Sequence, residues 1–428
     1  MGFDVQRELD ALSRPPRAYV AAGFAFGAGA LIGIASPGGG KTPAPTAAEQ
    51  VPARASALRV RTELPAWRAP GARLEVSGRA KPGSRVSLLV GGRRIASATA
   101  GDLGRFAVDG RLPRAGLQAV EIRSGGELRR LGKLLVRPVR LTAVGDVTPG
   151  EGVSETVAEH GIAYPWTSVA PVLRSADIAT ANLEGVISRQ GTPQPGRQYH
   201  FRGGPGLLEG AARVAGIDVV TVANNHALDY GRSALLDTLA AARAAGIRTV
   251  GGGARDDLAR RSVVLDEGGL RIALLGYSDV RPLGSDAGPD WAGTARADPE
   301  PIAEDVRTAR ARADVVVVWF HWGAELATEP SSRQRELARA ALGAGASLVL
   351  GAHPHVLQPV ERHGRKLVAW SLGNFVFPSG SPGTRSTGIL VADLDARGVV
   401  GARLEPATIH GFRPVLDEPV LDERPAAT

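Results

Sequence analysis

The chain has 428 residues, 43% of them hydrophobic, with 51 Lys and Arg against 43 Asp and Glu for a formal charge of +8. That is chain enough for about two or three domains with real cores, and the 22% charged and 5% aromatic content excludes a wholly disordered polypeptide. Cysteine is absent, which removes disulfide frameworks, thiolate zinc sites, iron–sulfur clusters and thiol nucleophiles. Only Lys41, Lys81, Lys133 and Lys366 are lysines, so arginine supplies nearly all the positive charge. No basic stripe is interleaved with stacking aromatics, so nucleic acid is not an expected partner.

After a leader of residues 1–17, the run 18–35 (AYVAAGFAFGAGALIGIA) carries no charge, and at ~1.5 Å per residue it would span about 27 Å as a helix, close to one bilayer core. Arg14 and Arg17 precede it and no charge follows before Lys41. The positive-inside rule therefore puts the N-terminus in the cytoplasm and everything after Ser36 outside. Asp4, Glu8 and Asp10 make the leader acidic for a signal peptide, so a retained anchor is expected, with secretion after cleavage as the alternative. Residues 36–57 are rich in Pro, Gly and Ala and read as an extended tether. Gly40-Lys41-Thr42 within it is no phosphate loop, because no strand precedes it and Pro43 and Pro45 forbid the helix that would hold the phosphates.

From 58 to 137 short alternating runs, such as LEVSG at 74–78, RVSLLV at 85–90 and RFAVDG at 105–110, are punctuated by Gly91-Gly92, Gly101-Asp102 and Gly125-Gly126. Turns at this spacing predict a small β-sandwich. The stretch resembles bacterial immunoglobulin-like spacer domains, which bind or separate and do not catalyse.

Beyond 138 the texture becomes that of an α/β protein. Near-continuous apolar strands are expected at 139–146, 177–185, 218–226, 271–279, 314–323, 347–355 and 366–374. A helix between two of them is marked by the capping pair Ser331 and Gln334, the stripe Leu337, Ala338, Ala341 and Leu342, and the stop Gly345.

Polar residues end those strands, where ligands collect in open α/β sheets. Asp146 ends the first, Asn182 and Glu184 the second, Asn224, Asn225 and His226 the third, His321 the fifth, and His353 with His355 the sixth. One such residue is ordinarily a cap or turn residue; donors at five ends of one domain are not explained by capping. Carboxylate, amide and imidazole without thiolate suit Mn, Fe, Zn or Mg at a hydrolytic centre. In an extended stretch His353 and His355 would point the same way, with Pro354 stiffening the turn between them. No nucleophile elbow exists for a metal-free serine hydrolase.

Gly145-Asp146, Asn182-Leu183-Glu184, ANNHALDYG at 223–231, HWGAE at 321–325, GAHPHVLQPVE at 351–361 and WSLGNFVF at 370–377 together resemble the ordered motif set of the CapA family of poly-γ-glutamate capsule biosynthesis proteins, within the calcineurin-like metallophosphatase superfamily. The resemblance covers 138–411, leaving 412–428 as a tail. It implies an α/β fold, a four-layer αββα sandwich, and two divalent metal ions. It implies Asp146, Glu184, Asn225, His321, His353 and His355 as ligands, and His226 as a substrate-facing acid or transition-state stabiliser oriented by Asp229. Asn182, Arg202, Asn224, Glu325 and Asn374 are expected to face the substrate. Metallophosphatases usually open with Asp-x-His, where Thr148 stands here, and carry an aspartate where Glu184 stands. In the CapA comparison Glu151 replaces a common arginine and Leu326 a common tyrosine. The expected role is a membrane-anchored, extracytoplasmic metal-dependent hydrolase acting on an anionic capsule or envelope polymer beside other capsule-synthesis membrane proteins; the alternative is a non-catalytic assembly or export factor for that polymer.

Overall fold

The computed structural model describes residues 57–418. The expected anchor at 18–35, the leader before it and nearly all of the tether lie outside the described residues. Among the described residues no helix is long and apolar enough to cross a membrane.

The N-terminal part is all β. Strands Arg59–Val60, Arg73–Arg79 and Arg105–Arg111 form one sheet, and Trp67–Arg68, Arg85–Val90, Arg93–Thr99, Gly116–Ser124 and Glu127–Val136 form a second. Alternation does the sorting: along Arg105–Arg111 every second residue is buried, because successive side chains on a strand point to opposite faces. Leu74, Val76, Val86, Leu88, Phe106, Val108, Val120 and Ile122 thereby meet in one core between the two sheets.

The larger part stacks helix, sheet, sheet and helix. Parallel strands Val139–Val147, Ile178–Leu183, Val219–Thr221 and Arg248–Val250 make one half of the first sheet, the short strand Asn374–Val376 also pairs in parallel with Val139–Val147, and the antiparallel strands Ser386–Asp395, Gly398–His410 and Arg413–Leu416 form the other side. Among this sheet's antiparallel strands, Arg413–Leu416 is the final one in the chain and lies in the stretch expected to be a tail. The second sheet runs Val263–Glu267, Leu270–Ser278, Val315–His321, Leu348–Ala352, Lys366–Ala369 and Val360–His363 in spatial order.

The central strands Val139–Val147, Ile178–Leu183, Leu270–Ser278, Val315–His321 and Leu348–Ala352 are buried on both faces, which is why they read as near-continuous apolar runs. On Val315–His321, Val315, Val317 and Trp319 enter the core between the sheets, while Val316, Val318 and Phe320 meet the helices Pro299–Arg310 and Ser332–Ala344 through Ile302, Val306, Leu337 and Ala341. The second of those helices opens with the expected capping box of Ser331 and Gln334 and stops at Gly345 with φ 118°. The first sheet's outer face is covered by Val153, Val157, Leu173, Leu207 and Leu235 of its own helices.

The two parts are joined firmly. Ala69 and Ala72 of the β part are buried in the core between the large sheets, the Ala69 amide donates to the Gly268 carbonyl at 2.8 Å, and Arg137 holds Asp177 through two bonds of 2.7 and 2.8 Å.

Candidate metal centre

Parity along the strands aims the donors. His321 follows Val315, Val317 and Trp319 in the row that faces the other sheet. Asn182 has the same parity as Ile178 and Thr180, and Thr180 accepts a bond from the Trp319 indole across the interface at 3.0 Å. Asp146 would point the wrong way on a regular strand, since Leu141 and Ala143 face inward. The register corrects this: Ala181 pairs with Val144 but Asn182 pairs with Asp146, so Gly145 is bulged out and the carboxylate is turned inward. Only glycine fits there, as a Cβ on residue 145 would lie 1.8 Å from the Gly373 carbonyl oxygen.

Asn182 ties three strand ends together. Its amide donates to Asp146 Oδ1 at 2.8 Å and lies 3.2 Å from His321 Nδ1, while its oxygen accepts from the Asn224 amide at 3.2 Å. His321 Nε2 in turn reaches Asn225 Oδ1 at 2.7 Å and lies 3.6 Å from Glu184 Oε1. Asn224, which also donates to the Leu183 carbonyl and accepts the His226 amide, is committed within this frame. These are positioning roles where substrate contact was expected of Asn182 and Asn224.

His353 and His355 converge, though not by the expected route. The strand ends at Ala352, and the two histidines take φ of 94° and 59°, positive values that L-residues with a Cβ rarely adopt. The extended Pro354 stretch inferred from the sequence is thus replaced by a tight, strained turn, of the kind that persists where surrounding packing over-determines it. The His353 amide donates to Asp146 Oδ2 at 3.3 Å, and His355 Nδ1 meets Asn374 Oδ1 at 2.8 Å and Asp146 Oδ2 at 3.3 Å. Asn374 therefore orients an imidazole.

The donors form three overlapping groups: Glu184, His321 and His353; Asp146, Glu184 and His355; and Glu325, His353 and His355, the ligand atoms within each lying within 4.8 Å of one another. Both Glu184 oxygens and His353 Nδ1 are buried without a hydrogen-bond partner. A buried polar atom left in that state costs about 1–3 kcal/mol, and a divalent cation among these atoms would remove the cost. Five expected ligands, Asp146, Glu184, His321, His353 and His355, fit the group; Asn225 sits beside it, and the exposed Glu325 joins its edge. Thr148 adds no ligand there: it is fully buried and its hydroxyl accepts from the Gly150 amide at 3.2 Å.

Protonation follows burial and neighbours. Burial, with the Asp146 charge beside it, holds Glu184 well above the usual carboxylate range. Burial likewise pushes His321 well below the usual imidazole range and His353 down to about 4, leaving both neutral and able to ligate. For His355 burial works in the same sense but the Glu184 charge and the Asp146 contact outweigh it, raising the group to about 10.

At the mouth, His226 Nδ1 bonds Asp229 Oδ2 at 2.7 Å, its Nε2 lies 4.0 Å from Glu184 Oε1, and its ring stacks on Phe201 with centroids 4.0 Å apart. Asp229 is fully buried and also accepts the Phe201 amide at 2.7 Å and the Arg197 guanidinium. Arg197, which further donates to the Asn225 carbonyl, was missed in the sequence. It lies in the loop before His200 and no motif marks it. Arg202, expected to face the substrate, lies over the Tyr230 ring at 3.3 Å and donates to the carbonyls of Gln190 and Gly191. Trp322 packs in the core against Phe320 and Trp370.

Two sheets sandwiched between helices, with carboxylate, amide and imidazole donors gathered at strand ends, define the class of α/β proteins whose site suits a divalent metal. Within that class the chain belongs to the bacterial capsule synthesis protein PGA_cap family, whose model matches residues 140–379. It is 33% identical over 273 residues to the PGA biosynthesis protein CapA of Bacillus subtilis (strain 168), covering 63% of this chain and 72% of that one. To the capsule biosynthesis protein CapA of Bacillus anthracis it is 31% identical over 290 residues, covering 66% and 70%. Among solved structures it is similar to a 5'-nucleotidase precursor from Thermus thermophilus, with 17% identity, a TM-score of 0.40, and coverage of 65% of this chain and 54% of that one.

Proposed function

We propose that this protein is a metal-dependent hydrolase of the metallophosphatase kind that acts in the synthesis of a capsule or envelope polymer such as poly-γ-glutamate. The observation that carries the reading is His226. Asp229 fixes its ring through Nδ1, so Nε2 is left to give or take a proton at the edge of the donor cluster. A group that only bound polymer would have no use for such an imidazole.

Asp146, Glu184, His321, His353 and His355 would hold the ion, with Asn225 beside them. A divalent ion so held supplies Lewis acidity and an activated water at neutral pH. The chain's own part follows from the geometry. Phe201 covers one face of the His226 ring and limits its rotation, Arg197 neutralises the buried Asp229, and His226 Nε2 delivers a proton to the leaving oxygen. On this reading the all-β part is an immunoglobulin-like spacer, and the uncharged run 18–35 anchors the chain with its described residues outside the cell.

The second reading, an assembly or export factor without catalysis, is favoured by Thr148, whose hydroxyl is turned to a backbone amide where metallophosphatases carry a histidine. Metal-reconstituted protein decides between them in a phosphodiester assay. His226→Ala should keep its metal content and lose turnover by roughly 10²–10⁴. Undiminished turnover, or full restoration of polymer production by this variant in a deletion strain, removes the catalytic reading.

A further inference from the structure

A groove of about 960 Å³ lies between the β part and the α/β sandwich. The β wall contributes Arg93, Arg94, Arg111 and Arg114, and the facing wall contributes Arg271, Arg310, Arg365 and Arg397; the acidic lining is Asp314 and Asp395 alone. Both acids are engaged: Asp395 pairs with Arg365 at 2.7 Å, and Asp314 accepts the Arg271 backbone amide at 2.9 Å. Arg111 donates to the Gly71 carbonyl at 2.8 Å and Arg310 to the Ala313 carbonyl at 2.5 Å. Among the described residues the guanidinium groups of Arg93, Arg94, Arg114, Arg271 and Arg397 meet neither carboxylate nor hydrogen-bond acceptor.

Like charges gathered in a concavity repel one another and raise the local potential for anions. The junction that brings these five together is fixed. The Ala396 amide donates to the Pro70 carbonyl at 3.2 Å, and a Cβ on Gly71 would lie 2.6 Å from that of Ala396. The walls therefore present their charges in a set arrangement.

The groove is far from the metal centre. Arg271 and Asp314 stand at the starts of the strands whose other ends carry Ser278 and His321, and seven strand residues extend about 20 Å. Its shape and lining narrow the ligand. A concave cleft with forked donors on both walls takes an extended anionic chain, whereas a flat membrane cannot enter it. The lining has no aromatic ring on which a nucleic-acid base would stack. Pro70, Ile95, Leu112 and Pro113 provide apolar surface between the guanidinium groups, which suits carboxylates spaced by methylenes, each met by an arginine fork.

We infer that the groove is an exosite that retains a linear polycarboxylate while the metal centre, at the opposite end, acts elsewhere on the polymer. The inference rests on the polymer role proposed above, but it concerns binding and not turnover. The test uses the full chain and fluorescently labelled poly-γ-glutamate, followed by anisotropy at increasing salt. Binding should weaken with salt, and the triple variant Arg94→Glu, Arg114→Glu, Arg397→Glu should raise Kd tenfold or more with an unchanged melting temperature. The triple Arg→Gln variant should give a smaller rise. His226→Ala should bind as the wild type does, so loss of turnover without loss of binding separates the two sites. Unchanged affinity in the charge-reversed protein, or tighter binding of polyphosphate or of anionic lipid vesicles than of the polycarboxylate, overturns the assignment.

Discussion

Glu184 offers the sharpest test of the metal centre because its carboxylate has two opposite effects. Without a cation both of its oxygens are buried and unpaired, beside Asp146, so the ionised side chain is a burden on the fold. At about 1–3 kcal/mol for a buried group without a partner, Glu184→Gln should leave the chelated protein equally stable or stabilise it by up to that amount. The sign of the pH dependence agrees. A carboxyl held above its ordinary range keeps its proton in the folded state, so stability is fully present below the unfolded pKa and is lost as pH rises through the folded one. The amide removes that slope. With metal the order reverses. A hundredfold excess of cation over Kd should stabilise the wild type by ~2.7 kcal/mol, which at roughly 2–4 °C per kcal/mol is a rise of about 5–10 °C in Tm. Glu184→Gln should forfeit most of that rise. Thermal melts of chelated and Mn- or Zn-loaded protein at several pH values, with metal content measured alongside, read both effects. A full metal-dependent rise in Glu184→Gln, or none in the wild type, would refute the ligand role.

Asp229→Asn should leave Arg197 facing a neutral amide, lower stability by about 3 kcal/mol as for a broken buried ion pair, and reduce kcat at least tenfold while metal content holds; denaturant titration and single-turnover kinetics check the two halves. Tyr277 donates to Asp305 at 2.8 Å, and burial with the Asp305 charge raises its pKa well above 10. The folded state thus holds a proton the unfolded chain loses, and stability should fall by about 1.4 kcal/mol per pH unit above 10, a slope that Tyr277→Phe should abolish in alkaline urea titrations. Gly145→Ala, which sets a methyl against the Gly373 carbonyl, should cost about 3 kcal/mol, at the upper end for overpacking, and lower metal affinity by displacing Asp146; an unshifted urea midpoint would contradict the bulge.

Much of this was legible in the chain. Val315 to Phe320 is apolar at every position because both faces of that strand are covered, and such a run announces a doubly covered sheet in any context. The capping box at Ser331 and Gln334 is equally local, since its bonds join residues three apart. Asp146, Glu184, His321, His353 and His355 stood out because donors at five strand ends of one domain exceed what capping explains, and the resemblance to the CapA motifs marked them as ligands among those donors.

What the sequence determined by itself was therefore the kind of each element and the chemistry of the donors, properties carried by periodicity and residue type over a few positions. The tertiary structure alone decided how those donors are aimed. The bulge that turns Asp146 inward depends on the Gly373 carbonyl, more than two hundred residues away. The left-handed backbone at His353 and His355 is held together with contacts to Asp146 and Asn374 from distant parts of the chain. Arg197 became a site residue because a loop of no distinctive composition folds across Asp229, and Arg202 did not, because Tyr230 and two carbonyls hold it. The arginine groove exists only where the β part and the α/β sandwich meet. Local pattern reflects forces between neighbours in the chain, whereas a site and a cleft are made by residues that the chain keeps far apart until it folds.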